Sequence, residues 1–314
     1  MKDQTLIRLV TLKINDMNWN LLRTIIFVSS SSFLSCQGQP LGENPYASIG
    51  AIPAPSGYQR MPTGKNSFAG WLRTIPLKKD RTVYLYNGMP KRNQTAQFAV
   101  LDISTGDKDL QQCADAVMRL RAEFLYSTGD FRQIDFLTAQ GLHLNFGEWT
   151  GGKRFRLAGD HLVAYALREN IASQPRPATP DPALPQLATP DPASASRRKS
   201  FDAYLETVFG WCGTLSLERQ LEPVAHLSDA QIGDVLIKGG SPGHAMLVVD
   251  MATDRTGRKL YLLAQSYMPA QDIHVVKNIY DAALNPWFRL EDAPVYTPEW
   301  TFFPGQIRQW PINN

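Results

Sequence analysis

The chain has 314 residues, 43% of them hydrophobic, which is enough for one large core or two small ones. Its net charge of +3 is slight for this length, and no basic run carries interleaved aromatics, which speaks against nucleic-acid binding. Five scattered histidines and three cysteines form no zinc-ligand spacing, so neither a metal site nor a cofactor is expected.

Residues 1–36 read as a targeting segment rather than as part of the fold. The apolar run 21–28 is too short for a stable membrane span but suits the core of a signal peptide. Arg23 supplies a nearby positive charge, and Met17 is an alternative start. The run passes through serines into Phe33-Leu34-Ser35-Cys36 and then the polar stretch 37–40. Leu-Ser-Cys before a polar tether resembles a bacterial lipobox. That resemblance implies cleavage before Cys36, a lipid anchor on its sulfur, and export to the periplasm or outer membrane. The competing reading makes 24–28 a buried strand.

Residues 37–62 read as an extended tether and lead-in, rich in Pro, Gly and Tyr towards its end, and a single domain is expected over 63–310. Ser67 is placed to cap a short helix reaching Leu72. Segments 82–86 and 95–103 alternate as strands, with Asn87-Gly88 supplying a turn.

The strongest helix covers 109–126. Asp109 is a good N-cap, Gln112 three residues later completes a capping-box pattern, and Gly129 marks the end. Cys113, Val117, Leu120 and Phe124 share one face, which puts Cys113 near the start of the helix and towards the core. Two readings of that thiol stand side by side. It is a small hydrophobe continuing the apolar stripe, or a nucleophile whose pKa the helix N-terminus lowers.

Segments 134–139 and 142–146 are strand-like, and 161–170 follows a helical pattern; His143 and His161 are read as structural. Residues 173–198 differ in kind. Seven prolines and a repeated Ala-Thr-Pro-Asp-Pro-Ala, at 178–183 and 188–193, cannot build a core and imply a disordered insertion. Helical character returns from Ser200 to Trp211, and 215–221 forms a short amphipathic segment. Cys212, between Trp211 and Gly213, reads as a buried thiol, with a nucleophile in a glycine-rich turn as the alternative. A Cys113–Cys212 disulfide stays open, since an exported protein meets an oxidising compartment.

From Gly233 to Gln265 three apolar runs are separated by turn residues, as in an antiparallel meander. Gly233-Asp234, a short strand, Gly239-Gly240-Ser241-Pro242-Gly243 and then His244-Ala245 with aliphatics resembles the histidine half of NlpC-type and CHAP-type papain-like cysteine hydrolases. The resemblance implies an α+β, papain-like fold, an antiparallel sheet with a packed core helix. It also implies His244 as the base and Gln265 as the residue orienting it, with Asp250 an alternative. The cysteine it requires upstream at a helix start is Cys113. Such enzymes cleave amide bonds in peptidoglycan peptides, so a cell-wall peptide is the implied partner. The alternative is a non-catalytic envelope lipoprotein of the same fold that binds a glycan, peptide or partner protein. Over most of the mature chain, including 109–126 and 264–271, the pattern also resembles an uncharacterised domain family of secreted Bacteroidetes proteins. The oligomeric state is left open.

Overall fold

The computed structural model describes residues 42–167 and 192–311. The segment read as a signal peptide, Cys36 and most of the proline-rich segment lie outside the described residues.

The lead-in expected over 37–62 joins the fold before it ends. Ile49 and Ile52 are fully buried, and β1 (Tyr58–Arg60) pairs with residues 252–254. Two isoleucines gain more from a core than from a tether, which corrects the domain start at 63. Helix α1 (Phe68–Thr74) starts where Ser67 caps it, the hydroxyl accepting from the Gly70 N–H at 3.1 Å. The expected strand 82–86 reduces to single bridges, Tyr84 with Pro90 and Leu85 with Gln271. Its turn is present, with Gly88 at φ 79°. Strand β2 (Gln97–Val100) follows.

Helix α2 (Cys113–Thr128) begins later than Asp109 suggested. Gln112 is the N-cap, and the Asp115 carboxylate reaches back to its N–H at 3.0 Å. Asp109 instead accepts from the Ala270 N–H at 2.7 Å, a tertiary bond that outcompetes the local cap. Gly129 ends the helix with φ 81°, a conformation that only glycine adopts freely.

Strands β3 (Asp135–Leu137) and β4 (His143–Asn145) form a hairpin, and α3 (Phe146–Thr150) follows it. The helix expected over 161–170 is replaced by β5 (Lys153–Ala158) paired with β6 (His161–Ala166). The two-residue Gly159-Asp160 connection, with φ 66° at the glycine, favours a hairpin over a continuing helix. His143 and His161 are exposed beside Asp135 (2.8 Å) and Asp160 (3.1 Å). Helix α4 (Pro192–Trp211) begins inside the segment assigned to the insertion. Proline is tolerated at its first position, because the N–H it lacks would have had no partner within the helix.

Next come α5 (Thr214–Gln220), β7 (Glu222–Pro223), β8 (Val235–Lys238), β9 (His244–Asp254), β10 (Lys259–Gln265) and β11 (His274–Val276). Four short strands close the chain: β12 (Phe288–Arg289), β13 (Val295–Tyr296), β14 (Thr301–Phe302) and β15 (Ile307–Gln309). The main sheet runs β2-β11-β10-β9-β8-β15-β7, with β1 added to β9 and β12 to β10. Its pairings are antiparallel, so the fold class is α+β. Helix α2 packs on β9 and β10, while α1, α4 and α5 pack around α2. That enclosure buries Ala114, Met118, Ala122 and Leu125 as well as the expected face of Val117, Leu120 and Phe124.

Candidate active site

Three elements bring the candidate residues together. Cys113 is the first residue of α2, His244 the first of β9 and Gln265 the last of β10. Antiparallel pairing of β9 with β10 returns the end of one strand to the start of the other, so His244 and Gln265 meet. The loop before His244 is fixed by small residues. A side chain at Gly243 would run into the carbonyls of Gly240 and Lys238 and the Thr214 hydroxyl. That hydroxyl donates to the Gly240 carbonyl at 3.1 Å and ties the loop to α5.

His244 Nε2 lies 2.7 Å from Gln265 Oε1, with both side chains buried. The Gln265 amide nitrogen faces two acceptors, Glu299 Oε2 at 2.8 Å and His274 Nε2 at 3.2 Å. These contacts orient the amide, since turning it over would set its oxygen against a carboxylate. Gln265 Oε1 therefore accepts, and His244 carries its proton on Nε2 and leaves Nδ1 as an acceptor. His274 completes the chain by donating from Nδ1 to the Asp272 carbonyl at 3.0 Å. Behind Glu299, Lys91 Nζ sits 2.6 Å from its carboxylate. Tyr267, Trp300 and Phe302 surround the His244 ring at centroid distances of 4.9, 5.3 and 6.0 Å.

Cys113 and His244 line one cavity of about 560 Å³, together with Leu110, Phe209, Cys212 and Met268. Backbone groups of Ala245, next to His244, and of Cys113 and Ala114 at the start of α2 act on the Cys113 thiol. Those groups pull its pKa down, as a helix N-terminus should. Burial outweighs them and the Asp115 charge adds to it, so the thiol is pushed above its ordinary range. Burial also lowers His244 to about 4, against the Gln265 hydrogen bond and with help from Lys91. At neutral pH the resting pair is thus thiol and neutral imidazole rather than the lowered thiol the helix start alone suggested.

The other two candidates, Asp250 and Cys212, have different surroundings. Asp250, fully buried, pairs with Arg60 Nε and Arg73 Nη2, both at 2.6 Å, and not with His244. A register shift between Leu262 and Leu263 interrupts the strand between the two positions. Cys212 is a free thiol in the same cavity, as is Cys113, and burial with the Asp115 and Asp135 charges raises it further. Unlike Cys113, it has no backbone group pulling its pKa down. Lys91, His274 and Glu299 were not singled out from sequence; they come from three separate segments and share no spacing. Asp115 carried a legible signal, an acid at the third position of a helix.

Among the described residues no group of three His, Cys, Asp or Glu side chains could hold a metal ion, and no helix is long and apolar enough to cross a membrane. The chain belongs to the family described as Domain of unknown function (4846), whose model matches residues 50–175 and 186–309. No curated protein and no solved structure matched.

Proposed function

We propose that this family member is a cell-envelope cysteine hydrolase of papain-like type, acting on an amide bond. The observation that carries the reading is the orientation of His244. Its Nε2–H is fixed on Gln265, and its free Nδ1 belongs to the ring that shares a cavity with Cys113. In this reading the Cys113 sulfur attacks the amide carbonyl carbon while its proton passes to His244 Nδ1. The developing oxyanion is met by backbone N–H groups at the start of α2. As the C–N bond breaks, the imidazolium returns the proton to the leaving nitrogen. Water activated by His244 then hydrolyses the thioester and frees the thiol. A neutral resting imidazole suits this route, because the base must be unprotonated when the thiol approaches.

The exported, lipid-anchored setting read from residues 21–36 makes peptidoglycan peptides the first substrates to try. Wild type should release new primary amines from peptidoglycan fragments, and Cys113→Ala should release none. Amine release that persists in Cys113→Ala would sink the assignment.

A second reading has one observation in its favour. Cys113 is only 7% exposed, and burial raises its pKa. In that reading the thiol is core and the cavity binds an envelope ligand without cleaving it.

A further inference from the structure

The cavity shared by Cys113 and His244 has carboxyl groups in its wall. Asp109 and Asp115 line it, and among the described residues no lysine or arginine does. Asp109 is engaged, its Oδ1 accepting from the Ala270 N–H and lying 3.3 Å from Gln112 Nε2. Asp115 is half engaged. Its Oδ2 accepts from the Gln112 N–H, while Oδ1 has no hydrogen-bond partner although the residue is only 5% exposed. Burial pushes this carboxyl well above the usual range, opposed by the backbone of Gln112 and of Asp115 itself and by no cationic side chain. A buried oxygen left unpaired costs about 1–3 kcal/mol, and a fold keeps such a group where something else will pair with it.

We infer that Asp115 is the recognition acceptor for a primary ammonium group on the ligand, held close to the bond offered to Cys113. Asp115 and Cys113 line the same cavity, which places the ammonium and the bond offered to Cys113 on one ligand. One free oxygen suits a single ammonium better than a bidentate guanidinium. Leu110, Phe209, Met268 and Trp300 offer the ligand's body an apolar wall. The inference rests on the hydrolase reading for where the ammonium sits relative to Cys113; the recognition itself needs no catalysis.

An α-ammonium at a chain end and an ω-ammonium on a lysine-like side chain share this chemistry, and the test separates them. Binding to Cys113→Ala, which cannot cleave, is measured by titration calorimetry with three probes. These are L-alanyl-L-alanine amide, Nα-acetyl-L-lysine amide and the neutral Nα-acetyl-L-alanine amide. At least one ammonium probe should bind about tenfold or more tightly than the neutral one. Adding Asp115→Asn, which keeps an oxygen for the Gln112 N–H, should abolish that preference with little change in melting temperature. Equal binding of the neutral probe, no binding of either ammonium probe at millimolar concentration, or a preference that survives D115N overturns the inference. The comparison among probes holds even if the double variant folds poorly. A wild type that cleaves amides without any ammonium preference removes this inference alone. An ammonium preference in a protein that cleaves nothing removes the hydrolase reading alone.

Discussion

Gln265 holds His244 from one end of its amide and Glu299 from the other, at 2.7 and 2.8 Å. Because the carboxylate accepts only, the amide cannot turn over without losing its bond to Glu299. Gln265→Ala frees the imidazole to change tautomer and tilt. Alkylation of Cys113 in the folded protein should slow by about tenfold, with a modest loss of stability. Unchanged alkylation would mean that the ring is held by its aromatic neighbours alone.

The support behind Gln265 is an ion pair between Lys91 and Glu299, whose side chains are 8% and 11% exposed. Removing one partner strands the other charge. Glu299→Ala should cost about 3 kcal/mol in denaturant unfolding, and adding Lys91→Met should recover part of it. Strict additivity of the two losses would show that the pair is not coupled.

Asp250 separates a structural from a catalytic carboxylate. It neutralises Arg60 and Arg73 with no exposure of its own. Asp250→Ala should destabilise by about 3 kcal/mol and leave the rate of Cys113 alkylation in the folded protein unchanged. A rate loss matching that of Gln265→Ala would return Asp250 to the site.

Stability in mild acid should carry the signature of the buried imidazoles. Burial lowers His274 to about 3, with Lys91 adding to the effect. A histidine that is neutral when folded takes up a proton on unfolding, so its contribution is lost as the pH falls below about 6.5. His244 acts in the same direction down to about 4. Asp115 and Asp234 act oppositely, since burial raises both, Asp234 to about 7, and their contribution is lost as the pH rises. His274→Gln isolates one member. Its loss of stability between pH 6.5 and 4.5 should be smaller than that of wild type by about 2 kcal/mol. Equal losses would mean that the ring is already charged in the folded state.

The meander from Gly233 to Gln265 was legible because each strand is bounded by turn residues, and an antiparallel return fixes which ends meet. That His244 and Gln265 meet follows from that return; their roles came from the resemblance to NlpC-type and CHAP-type hydrolases. The start of α2 was displaced because Asp109, a good cap by local rules, serves the Ala270 N–H instead. The helix pattern over 161–170 lost to a tight Gly159-Asp160 turn. Lys91, His274 and Glu299 were illegible, since contacts between distant segments leave no periodic trace. The raised pKa of Cys113 was hidden for a related reason. A helix start is visible in sequence, but the helices and strands that bury it are not.

The most direct measurement is iodoacetamide alkylation of the folded protein across pH, mapped by mass spectrometry, in wild type and His244→Ala. Cys113 should react in the folded state, with a pH midpoint above the ordinary thiol range because burial opposes the thiolate. Loss of His244 should slow the reaction near neutral pH by at least about tenfold, because the imidazole is no longer there to take the thiol proton. Equal rates in the two proteins, or alkylation only after unfolding, would contradict the cysteine–histidine pair and leave a ligand-binding cavity in its place.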